Sequence, residues 1–389
     1  MEFAFNQEQL MIQDSAARFL AQVSDSSAVR AAMARPEGYD PALWQRISTE
    51  LYWPALMIPE RFGGLGLGFV ELAILLEQSG RHLLCAPLLA TTCLATPALL
   101  LASKASVQDH WLGAIASGTT ATLAFASKPG LEADCVQVQA LPEADGYRLH
   151  GSYLQVLDGA QAELLIVAAR LPGSQGERGI CLFALPADSA GVARQPLPTL
   201  DQTRRLARIV LQDVTVGPAQ LLTEAGQAWP LLRDVLLIGA IGLAAEQTGG
   251  AQQALDLTLA YTAERHQFGR AIASFQAIKH RCADLMLQLE CARSAAWYAA
   301  CVAQERLDPA GDVAVAAELL AAAATAQIHA SEAFFNSAAE SIQLHGGVGF
   351  TWEYDPHLYF KRARASEQLL GAPALHRERL AAQLFGESP

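Results

Sequence analysis

Between Trp229 and Phe385 the sequence contains four runs with no proline beyond their first turn: Trp229 to Ala263, Phe275 to Gln304, Asp312 to Gln343 and Pro373 to Phe385. Three of them are about 30 residues long, which at the rise of an α-helix is about 45 Å each. Helices of that length bury their apolar faces against one another, so an antiparallel four-helix bundle is expected over residues 226–389. None of them contains a charge-free apolar run of about 18 residues, so no membrane span is expected. The apolar stretch Val235 to Ala245 reads as a buried helix.

The chain ahead of these runs has two other textures. Residues 116–225 carry short β-compatible segments separated by Gly, Pro and Asp turns, among them Thr120 to Phe125, Val136 to Val138, Gly146 to His150, Leu164 to Ala169, Ile180 to Leu185 and Ala207 to Leu211. That spacing predicts a small antiparallel barrel or sandwich. Residues 1–115 return to helical periodicity, beginning with Phe3, Phe5, Leu10, Ile12, Ala16, Phe19 and Leu20. The glycine-rich stretch Ile58 to Gly68 breaks two helices. It follows no strand and has no ribose-binding acid after it, so it is not a dinucleotide fingerprint. The expected fold class is α+β: an N-terminal helical domain (1–115), a middle β domain (116–225) and a C-terminal helical bundle (226–389).

Composition narrows the partners. Hydrophobic residues make up 52% of the chain and charged residues 17%, which suits large interfaces between subunits; an alanine-rich helical core accounts for the same figures. The net charge is -12 with no Lys/Arg run, so nucleic acid is not an expected partner. The seven cysteines form no CxxC pair, and the N-terminal segment is neither a signal nor a transit peptide. Reduced thiols and a cytoplasmic location are expected.

Three segments carry a resemblance. Tyr261 to Arg270 followed by Phe275-Gln276-Ala277 resembles the acyl-CoA dehydrogenase signature Y-x-x-x-R-x-x-F-G…Q. Gln343 to Thr351 resembles the same family's Q-x-x-G-G-x-G-[FY]-[TN], and Pro59 to Gly66 is similar to its P-E-x-[FY]-G-G-x-G. The three occur in family order over nearly the whole chain. The resemblance implies the acyl-CoA dehydrogenase fold, FAD as cofactor and an acyl-CoA thioester as substrate. It further implies that Arg265 meets the FAD pyrophosphate across a subunit interface, with Phe268 against the adenine and Gln267 and Gln276 nearby. Gln343, Gly346 and Gly347 would line the ADP half. Guanidinium donors suit a pyrophosphate, and glycine admits close approach to the backbone. Taken singly, the same residues read as an ordinary helix-surface arginine, a core phenylalanine and a helix C-cap.

The departures are as informative. The family's catalytic base, a Glu that removes the proton α to the thioester, falls here on Leu370. The alternative position used by some members falls on Gly239. Glu367, three positions before Leu370, is a weak substitute. The family's T-E-P-x-x-G-S-D and W-I-T-N segments, which cradle the flavin ring, are replaced by Ala124 to Gly130 and Gln155 to Ala160. Residues that would reach a neighbour's cofactor survive, whereas those that would build this chain's own flavin site are lost. The expected assembly is therefore an α2β2 heteromer with a homologous subunit that supplies the base. Electron-transfer flavoprotein is the acceptor implied by the resemblance. The run Phe350 to Tyr359 looks like paired-subunit members acting on steroid side chains. Two alternatives stay open: a self-sufficient flavoenzyme with other chemistry, such as desulfination or oxygenation, and a scaffold without flavin.

Overall fold

Helices open the chain of the computed structural model, which describes residues 5–311 and 314–386. Phe3 and the expected helix start at Asp312 lie outside the described residues. The helices are α1 (Gln7–Val23), α2 (Ser26–Ala34), α3 (Pro41–Thr49), α4 (Phe69–Arg81), α5 (Thr96–Leu100) and α6 (Ala105–Ala116). Strands follow as β1 (Ala121–Ala124), β2 (Gln139–Glu143), β3 (Gly146–Leu157), β4 (Leu164–Arg170), β5 (Ile180–Pro186), β6 (Val192–Pro196) and β7 (Leu206–Val216). Then come α7 (Trp229–Glu264), the two-residue strands β8 (His266–Gln267) and β9 (Arg270–Ala271), α8 (Gln276–Leu307), α9 (Val315–His345), α10 (Pro356–Ser366) and α11 (Pro373–Phe385). The order is helices, sheet, helical bundle, as the long runs and turn spacing require. Among the described residues no helix is long and apolar enough to cross a membrane.

Contacts divide the chain into two units, one of Met1–Ala31, Phe69–Leu84 and Ala240–Pro389, the other of Ala32–Gly68 and Cys85–Gly239. The second unit holds the seven-stranded sheet, ordered β1-β4-β2-β3-β7-β6 with β5 on the other side of β4. Most ladders are antiparallel, but β1 and β2 each run parallel to β4. Strand β4 is buried along its whole length, which explains its unbroken apolar sequence. Strand β7 instead alternates, with Ala207, Ile209 and Leu211 buried. Tyr153 fills the centre of the sheet, and its buried hydroxyl donates to Ala168 O at 2.9 Å. Val136 to Val138 is not a strand: a 3-10 turn over Ala133–Cys135 precedes β2.

The first unit is helical. Helix α1 starts with a capping box in which Asn6 and Gln9 satisfy each other's backbone N–H. Helices α4 and α7 cross with backbones almost in contact. A Cβ at Gly249 would lie 1.7 Å from Glu77 O, and one at Gly80 would lie 1.8 Å from Glu246 O. Only glycine permits that approach. Buried Arg362 of α10 pairs with buried Glu246 of α7. Arg81 binds Asp256 at 2.6 Å, and Tyr359 donates to Arg81 O at 2.7 Å. Together these ties hold α4, α7 and α10 in register.

Candidate functional site

Helix α7 ends where Arg265 N donates to Tyr261 O at 2.8 Å, and the chain then turns into the β8–β9 hairpin. Gln267 is the last residue of β8, and Phe268 and Gly269 form the tip. Phe268 has φ 53 and Gly269 has φ 76, the pair of left-handed residues that a two-residue hairpin needs. Glycine takes that conformation freely, whereas phenylalanine does not. The result is a phenylalanine ring 92% exposed, an orientation that costs both backbone strain and solvation. The ring keeps one neighbour, Phe275, edge-on with centroids 6.2 Å apart. The Arg270 guanidinium carbon lies 4.0 Å from the centroid of the same Phe275 ring. Gln276 follows as the exposed first residue of α8. Arg265 is exposed and, among the described residues, makes no ion pair.

The second motif closes α9. His345 is the last helical residue, Gly346 turns left-handed at φ 65, and a 3-10 turn runs on to Phe350. A Cβ at Gly346 or Gly347 would meet no atom within 4 Å, so the backbone there faces open space. Gln343 is exposed two residues before His345. Ring contacts bring the two motifs to the same end of the bundle. Tyr261 stacks on His345 with centroids 4.2 Å apart and planes inclined 22°. Tyr354 meets both rings edge-on. His345 donates from Nδ1 to Ser341 O at 2.6 Å, and burial lowers its pKa. The end of α7, which leads into Arg265, therefore lies beside the end of α9, which leads into Gly346 and Gly347. Tyr261, His345 and Tyr354 make that link through stacking that the motif spacing does not announce.

The two segments standing where the family cradles the flavin ring are also adjacent. Leu154 N donates to Ala126 O at 2.9 Å, and Thr122 Oγ1 donates to Leu157 O at 2.6 Å. The strand bulges here, with Gln155 left-handed at φ 52 and Asp158 at φ 51. The loop from Ser127 to Val136 is folded onto itself. Ser127 N donates to Cys135 O at 2.8 Å, and buried Arg170 donates to Val136 O, Ala133 O and Arg178 O. Desolvation lowers the arginine's pKa, and three of its N–H donors meet carbonyls. One polar atom stands apart: Ser127 Oγ is buried and meets no hydrogen-bond partner among the described residues. The sequence offered it as a bare serine and gave no sign of that isolation.

At the base position, Leu370 is 7% exposed and left-handed at φ 57, beside Gly371 at φ 100. Buried His376 donates to Leu370 O at 3.0 Å. Gly239 lies buried inside α7. Neither position carries an ionisable group. Glu367 is tied to Arg364. No His/Cys/Asp/Glu group among the described residues suits a metal.

Helices, then a sheet, then a helical bundle make an α+β multidomain chain of a kind found among cofactor-dependent enzymes. The model described as acyl-CoA dehydrogenase, N-terminal domain, matches residues 6–119, and that described as acyl-CoA dehydrogenase, C-terminal domain, matches residues 226–385. The chain is similar to the acyl-CoA dehydrogenase IpdE2 of Mycobacterium tuberculosis, with 37% identity over 383 residues, 98% of this chain and 99% of that one. The ChsE4-ChsE5 complex from Mycobacterium tuberculosis has a similar structure, with a TM-score of 0.87, 26% identity and 100% of both chains covered. The Tcur3481-Tcur3483 steroid ACAD G363A variant does too, at TM-score 0.82 and 29% identity over 98% of each chain. The chain belongs to the acyl-CoA dehydrogenase family of oxidoreductases, with FAD as redox cofactor.

Proposed function

We propose that this chain is the cofactor-completing subunit of a heteromeric, FAD-dependent acyl-CoA dehydrogenase, paired with a homologous chain that carries the base. The observation that carries this reading is Phe268: a 92% exposed ring on a strained hairpin, beside an arginine without an ion-pair partner among the described residues. A free subunit gains nothing from that exposure, whereas a subunit reaching into a neighbour does.

The residues present fit the adenine-pyrophosphate half of FAD. The open backbone at Gly346 and Gly347 admits a ligand without displacing any protein atom. Arg265 offers guanidinium donors to the pyrophosphate, and Phe268 offers a ring face to the adenine. Gln267, Gln276 and Gln343 add amide contacts around them. FAD, when bound, supplies two-electron redox chemistry to the α,β-desaturation of an acyl-CoA. This chain's residues bind and orient that cofactor and move no proton themselves, because Leu370 and Gly239 have no titratable group. Proton abstraction falls to the partner.

Two solved relatives support the pairing and the substrate class: one is the ChsE4-ChsE5 complex, the other a steroid ACAD. An α2β2 assembly acting on a bulky, steroid-type acyl-CoA is the reading they favour, with electron-transfer flavoprotein as acceptor and the cytoplasm as location. The domain boundaries that go with it are 1–115, 116–225 and 226–389.

The test is co-purification with a homologous partner and measurement of bound flavin. About one FAD per heterodimer, with little FAD on the lone chain, is expected. Dye reduction by acyl-CoA with the lone chain overturns the proposal. One observation favours a second reading, a self-sufficient flavoenzyme: the isolated Ser127 Oγ would suit a polar edge of a ring held by this chain. A yellow homomer with one FAD per chain would select it.

A further inference from the structure

We propose that Tyr261, His345 and Tyr354 act as a positioning clasp for the adenine-pyrophosphate half of FAD. Their stack sets the separation between the Arg265 arm and the Gly346–Gly347 turn. The inference rests on the reading above and deepens it.

The three rings come from three different segments. Tyr261 is one helical turn before Arg265, and its carbonyl accepts the Arg265 N–H. His345 is the residue before Gly346, whose own N–H donates back to Ile342 O and Gln343 O. Any shift of His345 therefore moves the glycine turn, and any shift of Tyr261 moves the arginine. The stack ties the two ends at 4.2 Å between centroids. His345 has no freedom to turn, because Nδ1–H is committed to Ser341 O. Tyr354, after the turn, closes the clasp edge-on with centroids 6.2 Å from His345 and 6.4 Å from Tyr261.

Core packing alone is a poor account of the cluster. His345 is 6% exposed, but Tyr354 is 39% exposed and Tyr261 half-buried, so the rings sit at the surface end of the bundle. Aliphatic side chains would fill that space as well. Flat stacking adds orientation, which aliphatic contacts lack. The ligand groups on both sides of the clasp, a guanidinium and a bare peptide backbone, gain most from a fixed spacing, because one bound cofactor must meet both at once.

The experiment uses the holo-complex with its homologous partner and follows FAD release by the rise in flavin fluorescence. Tyr261→Leu is expected to speed release about fivefold to tenfold, the size of a lost ring pair. Tyr261→Phe keeps the stack and is expected to stay within about twofold. His345→Gln is a second breach of the same stack and should act like Tyr261→Leu. At saturating FAD the KM for acyl-CoA should not move in any of them. A lowered Tm with unchanged FAD release in Tyr261→Leu and His345→Gln overturns the clasp, as does a Tyr261→Phe variant as impaired as Tyr261→Leu. Arg265→Ala, run in parallel, separates the two levels. If Arg265→Ala leaves release unchanged, the cofactor-completing reading itself fails. If Arg265→Ala speeds release and the ring variants do not, only the clasp fails.

Discussion

The hairpin after α7 and the loop after β1 stand where the family handles the two halves of one cofactor, yet they are built in opposite ways. At the hairpin, Phe268, Arg265 and the Gly346–Gly347 backbone face outward with their binding capacity unspent. At the loop, Ser127 to Val136 is closed by its own hydrogen bonds, with Arg170 spending its donors on three backbone carbonyls. One region is left open and the other is closed on itself. On the reading proposed above, a chain that completes another subunit's site keeps the first kind of surface and lets the second settle into stable self-contact.

That contrast predicts two kinds of mutational effect. The largest belongs to the closed loop: Arg170→Leu removes three hydrogen bonds to backbone carbonyls, two of them buried, and should cost about 3–5 kcal/mol by chemical denaturation. FAD content of the folded complex should not change; if it fell, the loop would belong to a live site. Arg265→Ala should do the reverse, weakening FAD retention by the complex about 30- to 100-fold, the size of lost charge-assisted hydrogen bonds, with Tm unmoved. Phe268→Ala should weaken retention about tenfold and leave stability level or higher, since the ring is exposed and its backbone strained. The smallest effect is a pH slope. Burial lowers the pKa values of His345, His357 and His376, so the unfolded chain binds more protons than the folded one below about pH 6.5. Stability is complete above that pH and falls as pH drops toward the folded-state values. A melting series from pH 7.5 to 5 that stayed flat would show these rings to be accessible.

Much of the fold was readable because its signals are local. The long helices needed only the absence of proline, and the family needed three motifs in order. Other features came from contacts remote in sequence. Val136 has a strand-forming side chain, but its carbonyl accepts from the Arg170 side chain rather than from a neighbouring strand. Strand β6, Val192–Pro196, pairs with β7 although its Arg, Gln and Pro composition favours no strand. Helix α10 hides behind proline and charge until Arg362 finds Glu246. The Tyr261–His345 stack joins two motifs that the sequence presents separately.

The touching backbones of α4 and α7 have one more consequence. Helix α7 runs unbroken from Gly249 to Glu264, so the arginine that follows rides about 24 Å beyond the crossing at 1.5 Å per residue. The helix acts as a lever whose fulcrum is a pair of hydrogen atoms. A methyl group at that fulcrum, tilting the rod by only about 5°, would swing the far end by about 2 Å, farther than a hydrogen bond tolerates. A position remote from any ligand thus governs how well the outer arm reaches its target.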